Sequence, residues 1–139
     1  MIVVVCVDDR LGMTFNHRRQ SRDRVLCEDV AENVRGSGGK LCVSEYSRVL
    51  FEEYDLPVFC GEAFVEAAED GDTCFIEKRE HLPRVDRVES FVIYRWNRHY
   101  PSDSAFDIDL AGEGFRIVES TELVGYSHEK ITKEIYERL

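Results

Sequence analysis

The chain opens on an unbroken apolar, β-branched run, Ile2–Val7, the pattern of a strand covered on both faces. Asp8-Asp9-Arg10-Leu11-Gly12 ends that run with turn chemistry. A polar loop follows, in which Ser21 is the expected N-cap of a helix and Asp23 falls in its first turn. Val25, Leu26, Val30, Ala31 and Val34 recur at helical spacing, and Gly36-Ser37-Gly38-Gly39 stops the helix. Shorter apolar runs at 40–43, 56–60 and 73–76 predict strands, and 44–53 and the Ala-rich 61–69 predict short helices between them. This alternation implies parallel strands joined by crossover helices. The pattern then changes. Residues 88–96 form a long aromatic and β-branched strand, 100–103 a turn, and 114–119 a further strand. The last segment, 128–139, fits two periods: Ile131, Ile135 and Leu139 have helical spacing, while Ile131, Lys133 and Ile135 alternate with Thr132, Glu134 and Tyr136.

Composition narrows the class. A chain of 139 residues with 43% hydrophobic and 33% charged side chains fits one globular domain. The balance of 18 basic against 28 acidic residues, a net charge of -10, argues against nucleic acid or an anionic membrane surface as partner. Five cysteines, an odd number without a CxxC pair, read as buried thiols of a reduced compartment. The first ten residues carry no basic leader, their apolar run is too short for a signal peptide, and no segment has the apolar length of a membrane span. A cytoplasmic location is expected.

Several stretches, taken in order, carry a resemblance: IVVVCVDDRLGM at the start, LPRVDRV from Leu82, SDSAF from Ser102, FRIVE from Phe115 and the closing EIYERL. Together they resemble dihydrofolate reductase along nearly the whole chain, in compressed form. The resemblance implies a single α/β domain over residues 1–139: a mixed, mainly parallel central sheet flanked by helices, its last strand antiparallel. It also makes 128–137 a strand, against its helical spacing. The family places a Gly-Gly pair after the strand corresponding to 73–76 and a Gly-Arg-x-Thr clamp after its second strand. Here those places read Glu77, Lys78, Arg79 and Ser44, Glu45, Tyr46, Ser47. Side chains fill the phosphate approach and Glu77 repels phosphate, so NADPH binding is not expected, nor any other cofactor. Asp23 falls near the family's substrate carboxylate and is the candidate catalytic residue. The arginines around it should lower its pKa and keep it ionised, opposite to what a proton donor needs.

Three motifs offer chemistry. The stretch NHRRQSRDR gathers Arg18, Arg19, Arg22 and Arg24 around Gln20 and Asp23, a local positive basin suited to carboxylate or phosphate. Surface ion pairs with Asp8, Asp9, Asp23, Glu28 and Asp29 are the competing reading. In YRWNRHYPSD, strand alternation puts Tyr94, Trp96 and Arg98 on one face and Arg95, Asn97 and His99 on the other. Trp96 can stack on a ring and Arg95 grip an anion; an edge strand with a buried Trp is the alternative. Ser127-His128-Glu129 suggests a triad, but consecutive strand residues point to opposite faces, so a turn into the last strand is expected, with His128 at most a lone polar contact to the cleft. GSGGK at 36–40 lacks P-loop spacing, the four histidines lack ligand spacing, and no Gly-x-Ser-x-Gly elbow occurs, so no metal site is expected. The leading expectation is a binding module for a small anionic or heteroaromatic molecule, held by Arg18, Arg19, Gln20 and Asp23 from the early loop. The late strand would add Arg95, Trp96 and Asn97, and the last turn His128. The alternatives are a divergent NAD(P)H-dependent reductase and a protein-interaction domain using the 94–100 strand.

Overall fold

The computed structural model describes all of residues 1–139. In chain order the elements are β1 (Ile2–Val7), β2 (Gly12–Phe15), β3 (Arg18–Arg19), α1 (Arg24–Ser37), β4 (Leu41–Val43), α2 (Glu45–Arg48), β5 (Val58–Cys60), β6 (Thr73–Phe75), β7 (Ser90–Arg95), β8 (Ser104–Ala105), β9 (Phe115–Leu123) and β10 (Ile131–Arg138). The main sheet runs β5-β4-β6-β1-β7-β10-β9. β5, β4, β6, β1 and β7 are mutually parallel, and β10 is antiparallel to both its neighbours. This is the mixed, mainly parallel sheet expected, with β1 near its centre. Val3, Val5 and Val7 of β1 face one core cluster, with Phe91 and Ile93 of β7; Val4 faces the other, with Tyr94 and Trp96. α1 covers this second face with Leu26, Cys27, Val30, Ala31 and Val34.

The differences from expectation have local causes. The N-cap of α1 is Asp23, not Ser21: the Asp23 carboxylate accepts from the Val25 N–H, while the Ser21 hydroxyl is engaged by His128. Gly38, in the left-handed conformation at φ 76°, closes the helix. Residues expected as a loop form the β2–β3 hairpin, whose central residues Asn16 and His17 both have positive φ, 55° and 62°, as a type I′ turn requires. Residues 61–69 make turns rather than a helix, with Phe64, Val65 and Ala68 pressed against the sheet; so short a segment forms no stable helix without a longer apolar stripe. The predicted helix over 44–53 is the single turn α2 followed by a 3₁₀ turn at Val49–Phe51. β9 is longer than expected, and β7 is a central strand, not an edge. All five cysteines are free thiols, and no helix is long and apolar enough to cross a membrane.

Candidate functional site

In an open parallel sheet, binding sites form beyond the carboxyl ends of the strands. Here Cys6 of β1, Phe75 of β6 and Trp96 just after β7 bring three adjacent strand ends to one narrow cleft. Its other walls are Arg19, Gln20, Ser21 and the start of α1, with Asp23, Leu26 and Cys27. The interior, about 20 Å³, has room for one water. A wider depression of about 430 Å³ adjoins it, shares Arg22, Asp23, Cys27 and Leu50, and adds Arg24, Tyr54 and Tyr126.

One side of the cleft is a closed ionic knot. Arg19 donates from Nε to Glu77 Oε2 at 2.7 Å and from one terminal nitrogen to Oε1 at 2.9 Å. That nitrogen also donates to the Tyr46 carbonyl, and the guanidinium lies 4.1 Å from the centroid of the Tyr46 ring. The Ser47 hydroxyl donates to Glu77 Oε1, and the Tyr46 hydroxyl accepts from the Arg19 backbone N–H. Tyr46 and Ser47 stand where the resemblance places a phosphate clamp, and Glu77 where it places glycine. The segment Tyr46–Ser47 and the turn after β6 are thus bonded to each other through Arg19.

A second network is a hydrogen-bonded chain that ends on two hydroxyls. Asp23 is buried at the N-cap of α1, and its carboxylate accepts from the backbone N–H groups of Val25, Tyr126 and Ser127. His128 Nδ1 lies 2.8 Å from Asp23 Oδ2. The Nε2 atom of the same ring lies 3.0 Å from both Ser21 Oγ and Tyr100 Oη. The ring is buried and stacks on Trp96, with centroids 4.7 Å apart. Gly125 lets the loop close over Asp23: a Cβ there would stand 2.6 Å from the His128 carbonyl oxygen and 2.8 Å from Asp23 Oδ2. Burial alone would raise the Asp23 carboxyl. The N–H donors of Tyr126, His128, Ser127 and Val25 outweigh it and hold the group well below the ordinary carboxylate range. Asp23 is therefore ionised as expected, but through these donors rather than through arginines. Burial pushes the Cys27 thiol up to about 11, leaving it a neutral wall of the cleft.

The other expected site residues divide. Arg19, Gln20, Asp23 and Trp96 line the cleft, and His128 lies behind it against Trp96. Gln20 Nε2 donates to Asp8 Oδ2 and the Pro101 carbonyl, two acceptors that fix the amide's orientation and leave Oε1 buried without a donor. Arg95 does not join them. It is on the opposite face of the sheet from Trp96, with Nε donating to Glu134 Oε1 at 2.7 Å. Arg18 is exposed on β3, without an ion pair and away from the cleft walls. Asn97 ties the end of β7 to β10 by donating to Thr132 Oγ1 and the Lys130 carbonyl. The expected convergence of Arg18, Arg19 and Arg95 is thus replaced by Arg19 alone, with Arg22 at the mouth. Tyr94 and Trp96 are buried in the core rather than displayed on an edge. Sequence reasoning missed Ser21 and Tyr100 as partners of His128; the family carboxylate position at Asp23 was the one available pointer to that network. No group of three or more His, Cys, Asp or Glu side chains is placed to hold a metal ion.

No family model matches the chain, and no curated protein matches it in sequence. Among solved structures, a dihydrofolate reductase from Enterococcus faecalis, complexed with NADP(H) and RAB-propyl, is similar with a TM-score of 0.67 at 11% sequence identity. The match covers 99% of this chain and 95% of that one.

Proposed function

Starting from a dihydrofolate-reductase-like fold, we propose that this protein binds a small anionic aromatic molecule at the mouth of the cleft and does not carry out NADPH-dependent reduction. The support for this reading is the Arg19–Glu77 knot, standing where the resemblance would bring a dinucleotide phosphate, together with Arg22, unpaired beside a depression large enough for a ligand. A carboxylate entering the phosphate approach repels phosphate and consumes the nearest arginine. The depression falls within the ~300–1,000 Å³ of ordinary ligand sites. Arg22 and Arg24 supply cationic donors there, although Arg24 already shares an exposed ion pair with Glu53. Tyr54 and Tyr126 offer aromatic faces.

Titration calorimetry against NADPH, nucleoside monophosphates, folates and aromatic dicarboxylates tests this. Binding of at least one anionic aromatic compound is expected, weakened about tenfold or more in Arg22→Ala. NADPH is expected to leave the melting temperature unchanged, because only a ligand that binds the folded state raises it. A rise with NADPH, together with oxidation of NADPH in the presence of dihydrofolate, would instead identify a divergent reductase.

A further inference from the structure

We propose that Ser21, His128 and Asp23 form a nucleophile–base–carboxylate relay that cleaves short-chain acyl esters at the cleft. The inference rests on the ligand reading above only for the alcohol half of the ester, because the relay does not involve Arg22. Three residues from two distant parts of the chain meet in the required order: carboxylate to Nδ1 at 2.8 Å, and Nε2 to a serine hydroxyl at 3.0 Å. The proton assignment follows from the donors around Asp23. Its oxygens accept three backbone N–H bonds, so the carboxylate is acceptor-only and the Nδ1 atom facing it carries hydrogen. In the neutral ring, Nε2 then presents its lone pair to the hydroxyls. Trp96 fixes the plane of the ring from one side. Of the two hydroxyls on Nε2, Ser21 is in the cleft wall and Tyr100 is not, so Ser21 is the nucleophile. The first turn of α1, whose Leu26 also lines the cleft, leaves the N–H groups of Arg24 and Leu26 without an acceptor in the chain; they are the donors available to a developing oxyanion.

The chemistry balances with water as the second substrate. Ser21 Oγ bonds to the ester carbonyl carbon as its proton passes to His128 Nε2. The bond from that carbon to the alcohol oxygen breaks, and Nε2 returns the proton to the leaving alkoxide. Water then adds to the acyl-serine, giving its proton to Nε2, and Ser21 leaves with that proton, restoring the starting state and releasing a carboxylic acid. The narrow cleft beside Ser21 restricts the acyl group to one as small as acetyl, and the adjoining depression takes the alcohol half.

The full chain incubated with 4-nitrophenyl acetate and with acetylsalicylate tests the relay. The expected result is release of the alcohol above the buffer rate, with one acetyl group located on Ser21 by peptide mass spectrometry. Ser21→Ala, whose lost hydroxyl has His128 as its hydrogen-bond partner, is expected to keep the wild-type melting temperature and fall to the buffer rate. His128→Gln is expected to lower the rate about a hundredfold. Asp23→Asn, acting through the ring, is expected to lower kcat with KM unchanged, which a purely structural role would not do. Alcohol release at the buffer rate with no acetyl on Ser21 overturns the proposal, as does an undiminished rate in a folded Ser21→Ala. Acetyl transfer from the neutral ester supports the relay whether or not anions bind, and its absence leaves the anion site standing.

Discussion

Two polar networks border the cleft, one half-buried and one buried, and they end differently. In the Arg19–Glu77 knot, both carboxylate oxygens and two guanidinium nitrogens are taken by Tyr46, Ser47 and each other. In the Asp23–His128 network, the carboxylate is equally saturated, but the chain of hydrogen bonds continues through the imidazole to a hydroxyl on the cleft wall. Both sit where an unpaired polar group is costly. A network satisfied at both ends acts as a staple between segments. One that ends on an exposed acceptor or donor leaves reactivity facing solvent. The fold thus uses one device, closed at both ends, at the Arg19–Glu77 pair, and the same device with an open end at Ser21.

The sharpest way to break this comparison is Asp23→Ala. It removes a helix N-cap, orphans the N–H groups of Tyr126 and Ser127, and strips His128 of its partner. A loss of about 4 kcal/mol is expected, measured by urea unfolding. The acid limb gives the same network a second readout. The Asp23 carboxyl is held below its ordinary range in the folded chain, against the pull of burial, by its N–H donors. An unfolded chain takes up that proton near pH ~3.9 while the folded chain does not, so stability contributed by Asp23 is full above this pH and lost as pH falls. Asp23→Asn is expected to flatten the fall below about pH 4, leaving the share due to Asp8 and Asp72, whose carboxyls are also lowered.

Breaking the knot is expected to cost less. Glu77→Ala leaves Arg19 facing Tyr46 without its carboxylate, at about 2 kcal/mol, because the guanidinium side chain is only 18% exposed and regains water partially. A double-mutant cycle with Arg19→Ala measures the coupling, expected at about 1–2 kcal/mol. A coupling near zero would show that the two side chains adjoin without stapling the segments.

How far the residues themselves announced this architecture varies by region. The two-sided run at Ile2–Val7, the stripe from Leu26 to Val34 and the order of the parallel strands are strong periodic signals, and the sheet is built on them. The last strand was ambiguous because a lysine occupies an inward position. Lys133 is buried and paired at 2.8 Å with Asp29, a partner that no local window contains. The β2–β3 hairpin was hidden because His17, not glycine, takes the second left-handed place. The knot and the relay were illegible for one reason: their members are 58 and 105 residues apart, joined by topology rather than spacing. Arg95 is the opposite case. Alternation already set it on the other face from Trp96, so its absence from the cleft was written in the strand.

That position makes Arg95 the control on the far side of the sheet, and its effect the smallest. Arg95 pairs with Glu134 across β7 and β10, and its side chain is 33% exposed. Solvent screens such a pair, so Arg95→Ala is expected to cost about 1 kcal/mol or less. Its guanidinium lies across the sheet from Ser21 and Arg22, and α1 and the Trp96 ring line only the other face. Anion affinity and acetyl transfer measured on the folded variant are therefore expected to match wild type. A large loss of either would mean that the two faces communicate through β7, and that the cleft depends on the strand's pairing with β10 as well as on its own walls.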